Sequence, residues 1–148
     1  MPTAAIIGGG VIGSAWASRF LLNGWEVRFH DPAPNSEAVL NKVLDKARRW
    51  MPEVYDHLPG EGALTLCASI ADAVTDADWV QESTPERLEI KQSVLAEIQE
   101  NCTLEAIVAS STSGFTPSEL QAGSARPEQI LVAHPYNPVY LLPIVEVV

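Results

Sequence analysis

The sequence predicts an α/β fold built on a doubly wound, mostly parallel sheet. Short apolar runs alternate with segments of helical spacing along the whole chain. The first apolar run breaks at a glycine-rich turn, and the second ends on an acidic residue. Because strands that alternate with helices pair economically as parallel neighbours, these features favour one open sheet with helices on both faces.

The first part of the chain predicts a strand, a tight turn, a helix and a second strand. The run AAII precedes the glycines, and apolar residues then recur with helical spacing at Ile12, Trp16 and Phe20. The second run, WEVRFHD, ends on Asp31, and the prolines that follow stop the strand. Together these elements form a βαβ unit.

The middle of the chain predicts two further pairs of helix and strand. A long helix opens at Ser36, and a short strand follows at 65–69. IADAVTDA then predicts a short helix, and DWVQES a strand that ends on polar residues. The next segment, PERLEIKQSVLAEIQENC, has the apolar spacing of an amphipathic helix, with Pro85 at its start.

The last part of the chain continues this alternation. EAIVASSTS predicts a strand that breaks into a hydroxyl-rich loop, and TPSELQAGS a short helix capped by Thr116 or Ser118. QILVAH is a strand that ends at His134, and a final apolar strand carries Glu146.

Length and composition narrow the class of protein. The 148 residues, 47% of them hydrophobic, suit a single globular domain. Nine basic against nineteen acidic residues give a formal charge of -10, which argues against nucleic acid or an anionic membrane as partner. The two cysteines lack metal-ligand spacing, and no apolar run approaches the roughly 20 residues that cross a bilayer. We therefore expect a soluble, cytoplasmic protein without a metal site.

The glycine-rich turn satisfies the dinucleotide-binding pattern GxGxxG in its proper context. It follows a strand, opens a helix and precedes an acidic residue at the end of the next strand. The first glycine permits the turn, the second lets the backbone approach a pyrophosphate, and the third allows close helix packing. The pattern predicts a Rossmann-type domain whose cofactor loop contains Gly8, Gly10, Val11, Ile12 and Gly13.

Asp31 indicates which dinucleotide binds. A carboxylate at this position accepts hydrogen bonds from the adenosine ribose and repels a 2'-phosphate, so NAD is favoured over NADP. The alternative is a glycine turn used only for packing, with Asp31 capping a loop.

Hydroxyl groups and one histidine follow the predicted strand ends. Ser83, the run 110–113 and His134 should converge, because ligands bind beyond the carboxyl ends of parallel strands. A histidine there can accept a hydroxyl proton while hydride leaves the same carbon for a nicotinamide. Glu146, held in a buried strand, would orient the imidazolium. The alternatives are a histidine bonded into the core and an edge-strand glutamate that faces water.

Four segments, GGGVIG, QESTPERLEIK, SSTSGF and HPYNPVYLLPIVEVV, resemble in this order the nucleotide-binding domain of the 3-hydroxyacyl-CoA dehydrogenase family. The resemblance spans nearly the whole chain, and its last segment is highly specific. It implies that His134 and Glu146 form a catalytic pair. It also implies that Ser113 hydrogen-bonds the reacting oxygen and that Asn137 lies beside the site.

The same resemblance implies that Glu86 and Lys91 lie near the cofactor. Spacing alone would make them an exposed pair on one helix.

Within the family, DPAP, QESTPERL, SSTSGFTPSE and HPYNPVYLLPIVEVV are most similar to members that oxidise L-carnitine. An acidic protein attracts the trimethylammonium group of that substrate, and aromatic faces bind it, whereas CoA phosphates favour lysine and arginine. The hypothesis places Tyr140, and secondarily Tyr136, near this cation. Ordinary packing of both rings is the alternative.

Family members continue into a helical domain that completes the substrate pocket and forms a dimer interface. The resemblance implies that residues 1–148 are the NAD-binding domain of a longer homodimeric protein, and that the helical domain is absent from this chain.

Three functions follow from these residues. The first is NAD-dependent oxidation of the 3-hydroxyl of L-carnitine to 3-dehydrocarnitine. The second is oxidation of another 3-hydroxy acid or its CoA thioester. The third is a non-catalytic dinucleotide-binding module. Competition between carnitine and an acyl-CoA separates the first two, and substitution of His134 tests the third.

Overall fold

A seven-stranded sheet runs through the protein, and the computed structural model describes residues 1–148. The strands are β1 (Thr3–Ile7), β2 (Glu26–His30), β3 (Leu64–Leu66), β4 (Trp79–Glu82), β5 (Ile107–Ser110), β6 (Ile130–Pro135) and β7 (Val145–Val147). They are arranged in the order β3-β2-β1-β4-β5-β6-β7, and only the pairing of β6 with β7 is antiparallel. The predicted mostly parallel, doubly wound sheet is confirmed.

Helices cover both faces of this sheet. They are α1 (Val11–Leu21), α2 (Ser36–Val54), α3 (Ile70–Val74), α4 (Leu88–Asn101) and α5 (Pro117–Gln121), with a 3-10 turn at Pro127–Gln129 before β6. α1 and α2 pack together over one face, and α3, α4 and α5 contribute to the core on the other. No helix combines the length and the apolar character needed to span a bilayer.

The central strand β1 supplies side chains to both cores. Ile6 is completely buried in the core beneath α1 and α2. Its neighbours Ala5 and Ile7 lie in the core beneath the other helices. Because the side chains of a strand point alternately to the two faces, an apolar run without polar interruption is what a doubly covered strand requires.

The order of the strands reverses beside β1. From β1 the chain first builds outward through β2 to β3, and then returns to add β4 on the other side. The loops after β1 and β4 therefore leave the sheet in opposite directions and open a crevice between them. Crevices of this kind bind ligands in doubly wound folds.

The predicted strand at 65–69 is shorter in the structure, where β3 ends at Leu66. It pairs only with β2, as an edge strand. By Ser69 the chain has already turned into α3, because the Ser69 hydroxyl accepts a hydrogen bond from the Asp72 backbone N–H and caps that helix.

The starts of α4 and α5 differ in how well the sequence predicts them. Pro85 does not begin α4, which starts three residues later after an extended Arg87. The intervening segment bends at Glu86 and carries its carboxylate to a neighbouring loop. At α5, Thr116 is the cap rather than Ser118, because it forms a capping box with Glu119.

Candidate active site

The glycine loop has the backbone geometry that its sequence predicts. Gly8 lies at a φ of 102°, and a Cβ there would come within 2.5 Å of the Ser83 carbonyl oxygen. A Cβ on Gly13 would collide with the carbonyl of Gly8, so this glycine lets α1 pack closely on the loop. Around Gly10 no atom lies within 4 Å of the Cβ position, which leaves the backbone open to a ligand.

Asp31 fastens the end of β2 to this loop. Its Oδ2 accepts a hydrogen bond from the backbone N–H of Gly9, and its Oδ1 accepts one from Ala33 at 2.7 Å. Each oxygen retains a lone pair for a further donor.

A cavity of about 630 Å³ opens beside Asp31 and the glycine loop. Val39, Ile70 and Val94 give it apolar walls, and its volume suits a nucleoside-sized group. His30 also lines it, with Nδ1 3.0 Å from the Cys67 carbonyl oxygen. An apolar cavity with a carboxylate at its rim and a helix N-terminus beside it fits the adenosine and pyrophosphate of NAD.

His134 and Glu146 lie opposite each other in the antiparallel pairing of β6 and β7. Their side chains meet at 2.8 Å, between Nδ1 and Oε2. The prediction of a buried strand around Glu146 is wrong: β7 is an exposed edge strand, and the Glu146 side chain is 57% exposed. Direct cross-strand pairing, rather than burial, brings the two groups together.

A second cavity, of about 390 Å³, lies beside His134 at the carboxyl ends of β4, β5 and β6. Six of the predicted site residues line it, which are Ile12, Glu86, Lys91, Ser113, His134 and Asn137. Ser83 and Thr84 line both this cavity and the one beside Asp31. The two cavities are therefore neighbours, and the predicted residues converge at the expected edge of the sheet.

A smaller cavity of about 260 Å³ shares Ser113 and His134 with the second one. Glu146 and Phe115 lie on its wall. His134 therefore faces space on two sides.

Glu86 holds the loop that carries Ser113. One oxygen, Oε1, accepts hydrogen bonds from the Thr112 hydroxyl and from the backbone N–H groups of Ser113 and Gly114, at 3.2 and 3.0 Å for the latter two. Burial alone would raise the pKa of Glu86, but the hydrogen bond from Thr112 and the positive charge of Lys91 outweigh it and lower the pKa below the ordinary glutamate value.

Lys91 is not the exposed helical residue that its spacing suggests. Its side chain is 1% exposed, and its Nζ lies 2.9 Å from Oε1 of the completely buried Glu82. It also lies 3.4 Å from Glu86 Oε2 and donates to the Thr84 carbonyl at 3.1 Å. Three fixed acceptors offset the cost of burying the ammonium group.

The two candidate tyrosines occupy different environments. Tyr140 is 8% exposed and packs in the core with α1 and α2, so the structure favours the packing alternative for this ring. Tyr136 is 42% exposed, and its ring lies 5.9 Å from that of His134. Of the two, only Tyr136 is brought next to the predicted pair.

Comparison with known sequences identifies the family. Residues 3–148 match the NAD binding domain of 3-hydroxyacyl-CoA dehydrogenase. The chain belongs to this family. It is therefore an NAD-binding domain, as the glycine pattern and Asp31 predict.

Several relatives have names that concern carnitine. A Ruegeria pomeroyi protein named L-carnitine dehydrogenase/betainyl-CoA thioesterase is 59% identical, over 100% of this chain and 31% of the relative. The L-carnitine dehydrogenase of Oceanobacillus iheyensis is 46% identical, over 100% of this chain and 48% of the relative. The chain thus spans less than half the length of these curated relatives.

Solved structures share the fold of this chain. An NAD-dependent 5-formyl-3-hydroxy-2-methylpyridine 4-carboxylic acid 5-dehydrogenase superposes with a TM-score of 0.90 at 34% identity, covering 99% of this chain and 48% of that one. The 3-hydroxybutyryl-CoA dehydrogenase of Escherichia coli superposes with a TM-score of 0.84 at 23% identity, covering 99% of this chain and 32% of that one. At this identity the likeness shows the fold alone.

Sequence reasoning missed two buried polar residues of β4. Gln81 donates to the Ser111 hydroxyl at 2.8 Å, and that hydroxyl lies 2.8 Å from the one of Ser83. Glu82 binds Lys91. The available signal was the pair of polar residues, QE, that ends an otherwise apolar strand, because such residues are rarely buried without fixed partners.

Proposed function

We propose that the full-length protein oxidises the 3-hydroxyl of L-carnitine to 3-dehydrocarnitine with NAD, and that this chain supplies the cofactor site and the His134 and Glu146 pair. The observation that carries the proposal is the 2.8 Å contact between these two side chains beside Ser113. Relatives at 46% and 59% identity that are named for carnitine oxidation support the choice of substrate.

His134 acts as the general base. Because Nδ1 donates to the Glu146 carboxylate, the neutral ring carries its lone pair on Nε2, which is free to accept the hydroxyl proton. Glu146 then stabilises the imidazolium that forms and keeps the ring oriented. NAD, when bound, supplies the hydride acceptor.

Ser113 and Asn137 orient the substrate oxygen. Both line the cavity beside His134, and the Ser113 backbone is held by Glu86. A serine hydroxyl donates a hydrogen bond to the oxygen that loses its proton, which favours the geometry for transfer to His134. Asn137 bounds the same cavity and contributes a second polar group.

Tyr136 is the better candidate for contact with the trimethylammonium group. Its ring is exposed and adjacent to His134, whereas Tyr140 lies in the core. A cation above an aromatic face is attracted to it, and the charge of -10 favours a cationic substrate at long range.

Residues 1–148 form the NAD-binding domain, and a helical domain elsewhere in the full-length protein completes the substrate pocket and a homodimer interface. The exposed apolar side chains of β7, such as Val147 at 67% exposure, support a covering element at this edge. The cytoplasm is the proposed compartment, and nucleic acid and membrane are not among the proposed partners.

Oxidation of a 3-hydroxyacyl-CoA, or of another 3-hydroxy acid, is the second candidate, because the family is described by that activity. Lys91 is the one cation on the wall of the cavity beside His134, and it is already paired with Glu82. This arrangement offers little to the phosphates of CoA from within the domain.

The deciding experiment measures NADH formation by the full-length protein with L-carnitine and, separately, with 3-hydroxybutyryl-CoA. We expect turnover of carnitine and weak or no turnover of the thioester. Turnover of the thioester alone would overturn the choice of substrate and retain the reaction type. If neither is oxidised although NAD binds in calorimetry, the non-catalytic dinucleotide-binding module becomes the better description.

A further inference from the structure

Glu82 begins a closed ring of hydrogen bonds and ion pairs beneath the loop that carries Ser113. Its side chain is completely buried at the end of β4. Oε1 accepts from Lys91 Nζ at 2.9 Å and from the Thr84 backbone N–H at 2.6 Å, and Oε2 accepts from the Ser110 hydroxyl. One carboxylate therefore binds the end of β5, the body of α4 and its own following loop.

Lys91 and Ser110 are the two neighbours of Glu82 in this ring. Lys91 contacts Glu86 at 3.4 Å, and Glu86 accepts the Thr112 hydroxyl hydrogen bond. The Thr112 backbone N–H donates to the Ser110 hydroxyl oxygen at 3.3 Å, which closes the ring on Glu82. Every member is thus held by two neighbours within the ring.

A buried carboxylate is unfavourable unless its partners are fixed in place. An apolar side chain would fill a covered strand without that cost, so the stability of the fold alone does not explain a carboxylate at this position. Glu82 lines neither of the cavities that His134 faces, so it acts through other residues.

We propose that Glu82 is the positioning residue for Ser113. Glu82 holds Lys91 and Ser110 in place. Lys91 in turn contacts Glu86, and Ser110 binds Thr112. Glu86 and Thr112 then hold the loop that presents the Ser113 hydroxyl to the space beside His134. This inference rests on the proposed function in one respect, since the kinetic consequence requires that the protein oxidises an alcohol.

The first test needs no substrate. Glu82→Gln in the full-length protein keeps the side-chain shape and removes the charge that holds Lys91. We expect amide hydrogen exchange at Ser113 and Gly114 to become about tenfold faster or more, because their acceptor on Glu86 loses its support. The matched control is Glu89→Gln, which removes the same charge from an exposed ion pair with Arg87. Unchanged exchange in a folded Glu82→Gln protein would overturn the proposal.

The second test is a double-substitution cycle on NAD-dependent oxidation. Glu82→Gln should lower kcat by roughly 10- to 100-fold, as expected when a reacting group is misplaced by about 1 Å. In a Ser113→Ala background the same substitution should have little further effect, because its target is already missing. Full additivity of the two losses would show that Glu82 acts on the site generally and not through Ser113.

A milder variant covers the case in which Glu82→Gln does not fold. Ser110→Ala removes the two hydrogen bonds of the Ser110 hydroxyl, to Glu82 and from the Thr112 backbone N–H, and leaves the ion pair of Lys91 with Glu82 intact. It should speed exchange at Thr112 and Ser113 in the same direction, and normal exchange there would count against the ring. If the wild-type protein oxidises neither carnitine nor an acyl-CoA, the proposed function fails while the exchange measurements still decide this inference.

Discussion

The cavity beside Asp31 and the sheet edge at β6 and β7 are built in contrasting ways. The wall of the cavity is formed largely by backbone contacts: the glycine loop packs against Ser83, and Asp31 accepts a hydrogen bond from the backbone N–H of Gly9. At the edge, two side chains from different strands meet in a partly exposed position, with His134 29% and Glu146 57% exposed. The first region depends on backbone contacts of the glycine loop, whereas the second depends on strand pairing.

This difference implies that the two regions can fail independently. A substitution in the glycine loop should affect the fold where the Cβ would collide, as at Gly8, and NAD binding where the backbone is open, as at Gly10. A substitution at the edge should remove chemistry and leave NAD binding intact, because His134 and Glu146 do not line the cavity beside Asp31.

The largest expected effect comes from removing the proposed base. His134→Ala should lower kcat by about 10²- to 10⁴-fold, the usual contribution of general acid–base catalysis. The NAD dissociation constant from calorimetry should stay the same. The matched control is His57→Ala, since His57 is an exposed histidine away from the cavities. A large loss of NAD affinity in His134→Ala would contradict the independence of the cavity beside Asp31 and the sheet edge at β6 and β7.

The next effect distinguishes two glycines of the same loop. Gly8→Ala should destabilise the protein by about 2 to 4 kcal/mol, because the residue needs a positive φ and its Cβ would strike Ser83. Gly10→Ala should leave stability unchanged but weaken NAD binding by about 10- to 100-fold, from the 1–3 kcal/mol typical of overpacking a close contact. Urea unfolding and calorimetry measure the two quantities. Equal destabilisation by both substitutions would contradict the distinction between a structural Gly8 and a cofactor-facing Gly10.

A smaller effect distinguishes the tyrosines. Tyr136→Leu should raise the KM for L-carnitine about two- to fivefold, which corresponds to 0.5–1 kcal/mol for an exposed cation–π contact. Tyr140→Phe preserves the buried ring and should leave this KM unchanged. Steady-state kinetics on the full-length protein gives both values. An unchanged KM in Tyr136→Leu would remove the proposed cation contact.

The smallest expected effect concerns pH. Because the pKa of Glu86 is lowered on folding, this carboxylate stabilises the fold above the ordinary glutamate pKa of about 4.3, and that contribution is lost as the pH falls through the lower folded value. The stability difference between wild type and Glu86→Gln should therefore shrink on acidification. Urea unfolding at neutral and acidic pH measures it, with Glu97→Gln on the exposed side of α4 as control. A constant difference would contradict the lowered pKa.

The sequence predicted the fold because the determining signals are local. Apolar runs and the glycine turn each act within a few residues, and the parallel pairing of the strands follows from their alternation with helices. His134 and Ser113 were located by the same logic, since strand ends converge at one edge.

Long-range packing decided what the sequence did not predict. Lys91 has helical spacing that suits an exposed residue, and only the end of β4 packed beneath α4 provides its buried partner Glu82. Burial of Glu146 was expected from the apolar residues around it, but β7 has a neighbour on one side only. Tyr140 was favoured over Tyr136 because residue type does not reveal which ring faces the core.

The pairing of β6 with β7 has a consequence for folding. Side chains alternate between the faces of a strand, so a slip of one residue in this register would turn Glu146 away from His134 to the opposite face of the sheet. The pairing of the last strand would therefore also place the carboxylate beside the proposed base. We expect a molecule with a misregistered final strand to bind NAD normally and to lack the proposed oxidation.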